Sequence, residues 1–179
     1  RGRNGRRYVW PPTDHELVVP SVTTILGNLA KPALVNWAAK EVAIYAVENL
    51  TSWEGLTPSD AVDLLKRAPY RNMTNRGEIG TAVHAAIEAT VSEEDAPTVD
   101  ADLLPYVSGA TRFLNDLVAE IVHLEVTCFN ETWEYAGTTD AILKLKDGRM
   151  AIADWKTSKA IYPEVALQLQ AYAACEFIG

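Results

Sequence analysis

Apolar positions recur every three or four residues up to about residue 120 and roughly every second residue after it, so the chain reads as helices first and strands late. Tyr8-Val9-Trp10 and Glu16-Leu17-Val18-Val19 flank Pro11-Pro12-Thr13-Asp14, which predicts a small hairpin or two extended segments. Pro20-Ser21-Val22-Thr23-Thr24-Ile25-Leu26 offers a Ser or Thr cap to a short helix ending near Gly27-Asn28. Lys31-Pro32 restarts a helix to about Leu50, with Leu34, Trp37, Ala38, Val42, Tyr45 and Ala46 as its core stripe. Thr57-Pro58-Ser59-Asp60 begins another, running to about Ala68. The polar stretch Arg71 to Arg76 reads as loop or frayed helix, Gly77 to Val91 as helix, Ser92 to Asp100 as an exposed acidic loop, and Asp102 to Glu120 as a long helix. His123 to Thr132 then reads as a strand, and Pro163 to Phe177 as a final helix. Helices followed by a late three-strand meander predict an α+β or α/β sandwich.

The informative part of the meander is its last hairpin. Asp140 and Ala141-Ile142-Leu143-Lys144-Leu145-Lys146 lead into Asp147-Gly148, and Arg149-Met150-Ala151-Ile152-Ala153 return to Asp154-Trp155-Lys156-Thr157. A two-residue loop would pair Lys146 with Arg149 and turn Asp140 away from Asp154. A three-residue loop, Lys146-Asp147-Gly148 with Gly148 left-handed, pairs Leu145 with Arg149 and sets Asp140 opposite Asp154. The three-residue loop, or an equivalent bulge nearer Asp140, is the expectation.

Size and charge narrow the class. At 179 residues, 48% hydrophobic and 22% charged, the chain suits one soluble globular domain. No apolar run approaches the ~18–20 residues of a membrane span, and no apolar core follows the basic start, so neither a membrane protein nor a signal peptide is read here. A net charge of −8 argues against coating nucleic acid with the whole surface, but leaves room for a basic groove. Arg1, Arg3, Arg6 and Arg7 cluster at the start, and Arg67, Arg71 and Arg76 later; each cluster is either solvated surface or a phosphate contact. Cys128 and Cys175 read as reduced structural thiols, with no C-x-x-C pair to hold zinc or an iron–sulfur cluster.

Candidate chemistry gathers around the hairpin. Asp is depleted in strands, and Asp154, between Ala151-Ile152-Ala153 and Trp155, is placed for partial burial, where a carboxylate needs a partner or a metal. Lys156 shares its face and makes either an ion pair or the positive group beside an attacked water. Two carboxylates and solvent suffice for magnesium, and the Trp155 carbonyl is a further donor. His84 lies among small residues, Gly77, Gly80, Ala82, Ala85 and Ala86, that allow close helix approach, with Glu88 one turn on to bond it or to face solvent. Gln168 and Tyr172 share a face of the last helix.

Four motifs in order, Gly80-Thr81-x-x-His84, Gly137-x-x-Asp140, Asp154-x-Lys156-Thr157 and Gln168-x-x-x-Tyr172, resemble the RecB-like branch of the PD-(D/E)XK nuclease superfamily over roughly Pro20 to Ala174. The Pro20–Leu26 stretch is similar to one common in phage and prophage members. The resemblance implies a restriction-endonuclease-like core, a central mixed sheet flanked by helices, within a single domain over 1–179: a mostly helical part at 1–75 and a catalytic core at 76–179. It implies a Mg²⁺- or Mn²⁺-dependent DNA nuclease, commonly an exonuclease acting on free ends or single strands in recombination, replication or repair, in the cytoplasm of a bacterial host, with a recombinase, single-strand-binding protein or helicase as partner. It assigns His84, Asp140, Asp154 and the Trp155 carbonyl to the metal and Lys156 to the attacking water. Gln168 and Tyr172 go to DNA, Arg71 and Arg76 join them as candidate phosphate contacts, and Glu125, on the strand before the hairpin where related nucleases can place another acidic ligand, is a second-tier ligand or a surface residue. Relatives with an iron–sulfur cluster hold it with four cysteines; this chain has two, so no cluster is expected. The family sheet usually gains strands after the Gln-x-x-x-Tyr helix, so either the lineage differs or the gene product is longer. The reading from another class is a non-catalytic DNA-end binding module serving a helicase or recombinase.

Overall fold

The structure, a computed structural model, describes residues 7–10, 17–92, 100–158 and 160–179. In chain order its elements are β1 (Arg7–Trp10), β2 (Leu17–Pro20), α1 (Val22–Leu26), α2 (Pro32–Glu48), α3 (Leu50–Trp53), α4 (Pro58–Leu65) and α5 (Ala68–Val91). There follow α6 (Leu104–Leu117), β3 (Val118–Asn130), β4 (Tyr135–Leu145), β5 (Met150–Ala153), α7 (Pro163–Ala173) and β6 (Phe177–Ile178). The fold is mixed α/β, and the chain divides into two compact units, Arg1–Leu29 with Val83–Gly179, and Ala30–Ala82.

The first unit is built on a four-stranded sheet in the order β5-β4-β3-β6, antiparallel at every ladder. One isolated parallel bridge joins Ser21 to Ala136. Helices α1, α6 and α7 pack against the sheet. β1 and β2 pair antiparallel as expected; the Pro11–Asp14 turn lies outside the described residues, as does most of the acidic loop expected at Ser92 to Asp100. Ser21 ends the strand and starts α1: its Oγ accepts from the Thr24 amide at 3.0 Å, replacing a bond that the helix start cannot make for itself. The helix expected to reach Glu120 stops at Leu117, because Val118, Ile121 and Val122 are β-branched and enter the sheet instead. The last helix stops at Ala173, and its expected tail forms β6 against β3. Two buried clusters hold the unit together: Val19, Phe129 and Ala136 with Tyr8 on them, and Val22, Cys128 and Tyr172 with Leu26, Tyr135, Ile152 and Cys175 on them.

The second unit is helical. Thr57 caps α4 through its side chain. α5 begins at Ala68, so Arg71 to Arg76 are helical and not loop; Pro69 falls in the first turn, where it costs no backbone bond. The α2 stripe is a correction of another kind: Trp37, Ala38, Val42, Tyr45 and Ala46 are only half-buried and Leu34 is exposed, so the stripe is a shallow contact face. Among the described residues, no helix is long and apolar enough to cross a membrane.

Candidate active site

The hairpin adopts the three-residue loop. Gly148 has φ +88°, its amide donates to the Leu145 carbonyl at 2.9 Å, and the Leu145 amide donates to the Arg149 carbonyl at 2.8 Å. The ladder then pairs Lys144 with Met150 and Ala141 with Ala153, which sets Asp140 across from Asp154. The Thr139 hydroxyl, fully buried, donates to the Ala153 carbonyl at 3.0 Å and fixes the end of β5 against β4, hence the point where Asp154 emerges. Asp140 sits in the middle of β4, where an Asp is harder to explain without a role.

Trp155 is the pivot of the first half of the site. Its ring meets Phe113 of α6 edge-on, 6.3 Å between centroids, which frees its backbone to face inward. The amide donates to Asp140 Oδ2 at 2.6 Å. The carbonyl, which can only accept, takes the Nε2–H of His84 at 2.7 Å. His84 Nδ1 then points towards Asp140 Oδ2, 3.7 Å away. Glu125 completes the group: one donor atom each from His84, Glu125 and Asp140 lies within 4.8 Å of the others. Burial is the main cause raising the Asp140 carboxyl above the usual range; Asp154 adds to it, while the Trp155 amide, His84 and Lys156 pull the other way.

Glu125 reaches this position through its backbone. Its neighbours pair in register, Leu124 with Ala141 and Val126 with Thr139, so it stands across from Asp140, yet its φ is +46°. A left-handed, side-chain-bearing residue inside a strand costs about 1–2 kcal/mol and persists only where its surroundings impose it. No sequence pattern signals such a conformation.

The second half of the site centres on Asp154, whose side chain is 5% exposed. One carboxylate oxygen is ion-paired with Lys156. The other accepts from Gln168 Nε2 at 3.0 Å, and the same amide nitrogen donates to the Tyr172 hydroxyl at 2.9 Å. Tyr172 is buried, and burial pushes its phenol up to about 12. Gly137 explains its place in the motif here: a Cβ on it would lie 2.3 Å from Tyr172 Cε1. The glycine makes room for the ring; its backbone conformation is ordinary.

His84, Gly137, Asp140, Asp154, Lys156, Gln168 and Tyr172 therefore lie in one unit, their side-chain contacts forming two groups, while Gly80 and Thr81 of the first motif fall in the helical unit. Of the expected metal set, His84 and Asp140 lie close together with Glu125, near enough that the three could hold an ion, while the Trp155 carbonyl is bonded to His84 and Asp154 is held by Lys156 and Gln168. Glu88 is exposed and outside either group. Arg71 and Arg76 belong to the helical unit, where Arg71 donates to the Tyr45 hydroxyl at 2.7 Å and lies over its ring. The cysteines expected as reduced structural thiols are free and neighbours in space. No protein-family model matches the chain, and no curated protein matches it.

Proposed function

We propose that this chain is a divalent-metal-dependent deoxyribonuclease of the RecB-like PD-(D/E)XK type, hydrolysing phosphodiester bonds at DNA ends in phage or bacterial recombination, replication or repair. The observation that carries the reading is the convergence of His84, Glu125 and Asp140 beside the Asp154–Lys156 pair at the end of one hairpin. The donor set fits the ion: two carboxylates and an imidazole suit Mg²⁺ or, with its greater tolerance for nitrogen, Mn²⁺. The orientation of His84 fits too. A ligating histidine typically donates its second ring N–H to a carbonyl or carboxylate, and the Trp155 carbonyl receives Nε2–H here, leaving Nδ1 towards the carboxylates. A bound divalent ion supplies charge neutralisation at the scissile phosphate and a more acidic water.

The rest is the work of this chain. Asp140 holds the Trp155 amide, and Trp155 in turn holds His84, so the group is braced from both sides. Lys156, partly exposed, directs its ammonium to the attacking water and to the charge that builds on the phosphate. Asp154 keeps that ammonium in place. Gln168 positions the DNA strand, with the buried Tyr172 setting its orientation from beneath. A cytoplasmic location and a helicase, recombinase or single-strand-binding partner belong to the same proposal.

The test is cleavage of end-labelled single- and double-stranded DNA with Mg²⁺ or Mn²⁺, with EDTA as control, beside Asp154→Ala and Lys156→Ala. Metal-dependent cleavage lost in both variants is the expected result. Binding to ends without cleavage in any metal would instead place the chain among non-catalytic end-binding modules.

A further inference from the structure

Cys128 and Cys175 are 2% exposed and half-buried respectively, and both line a cavity of about 530 Å³ between the sheet and α7. Strand pairing brings them together. Cys128 is on β3, and the residues either side of Cys175 are bonded to that strand: the Ala174 carbonyl accepts from Asn130 Nδ2 at 2.6 Å, and the Glu176 amide donates to the Phe129 carbonyl at 3.0 Å. The Cys175 side chain packs against the buried cluster that contains Cys128, with the Cys128 thiol donating to the Gly137 carbonyl at 3.4 Å and the Cys175 thiol to the Ala171 carbonyl at 3.5 Å. Each thiol's neighbour is the main influence on it, drawing Cys128 down and pushing Cys175 up. Tyr172 is packed in the same cluster as Cys128, and its carbonyl accepts from the Cys175 amide at 3.1 Å.

The geometry points to a redox modification site: a reversible Cys128–Cys175 disulfide, formed by a peroxide small enough to enter the cavity, that pins the end of α7 and with it Tyr172. The Cys128 thiolate attacks one peroxide oxygen, the O–O bond breaks, and hydroxide leaves to become water, giving a sulfenic acid. The Cys175 sulfur then displaces the sulfenic hydroxyl and loses its proton, releasing a second water. The two thiols are oxidised by two electrons, and the peroxide is reduced by two. A dithiol reductant reverses the step by thiol–disulfide exchange.

The test treats the full chain with hydrogen peroxide and then with dithiothreitol. It maps linked peptides by mass spectrometry and reads hydrogen exchange over residues 168–178. The expected result is a Cys128–Cys175 linked peptide that dithiothreitol removes, with slower exchange at the end of α7 in the oxidised form. Cys175→Ser is expected to divert Cys128 to higher oxides with no linked peptide. Two thiols that stay free, or that oxidise singly in the wild type, overturn the site. A linked peptide with unchanged exchange overturns the pinning of Tyr172.

Discussion

Replacing Gly137 by Ala tests the coupling between the sheet and the Gln-x-x-x-Tyr helix. The added Cβ would lie 2.3 Å from Tyr172 Cε1, and 3.1 and 3.2 Å from Cδ1 and Cζ. The closest approach is more than 1 Å inside the ~3.5–4.0 Å optimum for carbon pairs. The obstacle is a rigid ring, 4% exposed, packed against Val22 and Cys128 and bonded to Gln168, so it cannot swing into solvent. Overpacking of this kind costs about 1–3 kcal/mol. Glycine's greater freedom in the unfolded chain returns about 0.4–1 kcal/mol to the Ala variant. The net is a destabilisation of about 1–2 kcal/mol, or ~2–8 °C in Tm for a chain of this size. Thermal denaturation followed by circular dichroism reads it. A double-mutant cycle with Tyr172→Leu sharpens it, because the smaller side chain vacates the space the methyl needs: the double variant should be less destabilised than the sum of the singles by about 0.5–3 kcal/mol. A Gly137→Ala variant as stable as wild type, or strict additivity, would refute the close approach as the reason for this glycine.

Other expectations follow from the same geometry. Asp140→Asn should keep a group that accepts from the Trp155 amide while removing a charge that burial disfavours. A carboxyl whose folded pKa is raised contributes stability below its unfolded value of about 4 and loses it as pH rises through the folded pKa. In EDTA, the variant should therefore gain on wild type in Tm as pH rises from about 4 to 7; a widening deficit would reverse the sign. Glu125→Gly relieves a left-handed backbone and should stabilise the fold by on the order of 1 kcal/mol, read as a higher Tm, while weakening Mn²⁺ binding measured by calorimetry; a loss of stability would show that the side chain holds the fold. Lys156→Ala should cut cleavage by about 10²–10³-fold and leave Mn²⁺ and DNA binding intact in titrations; failure to fold would assign Lys156 a structural role.

The sequence made some of this legible and hid the rest for identifiable reasons. Asp147-Gly148 between two short apolar runs is local turn chemistry, so the loop length and the Asp140–Asp154 pairing could be worked out from side-chain alternation alone. Ser21 and Thr57 announced their helices because caps act within three residues. The boundary at Leu117 was not readable, since Val118 to Glu120 fit either period until a sheet partner decides the matter. The continuity of α5 through Arg71 to Arg76 was obscured by polarity, which a half-exposed helix tolerates. Within the site, Asp140, Asp154 and Lys156 stood out because charge is unusual where they lie. Glu125 was named only as a second-tier ligand, and its exact place depends on a φ of +46° that no composition predicts. The proximity of Cys128 and Cys175 likewise arises from strand pairing across distant sequence.

The account rests most heavily on His84, Glu125 and Asp140 acting together, and calorimetric titration of Mn²⁺ at neutral pH tests that directly. Wild type should bind, and His84→Ala, Glu125→Gln and Asp140→Asn should each weaken binding by at least about tenfold, with Glu88→Gln unchanged as a control. No Mn²⁺ binding by wild type, or binding that survives all three substitutions, would contradict the metal centre and the nuclease reading built on it.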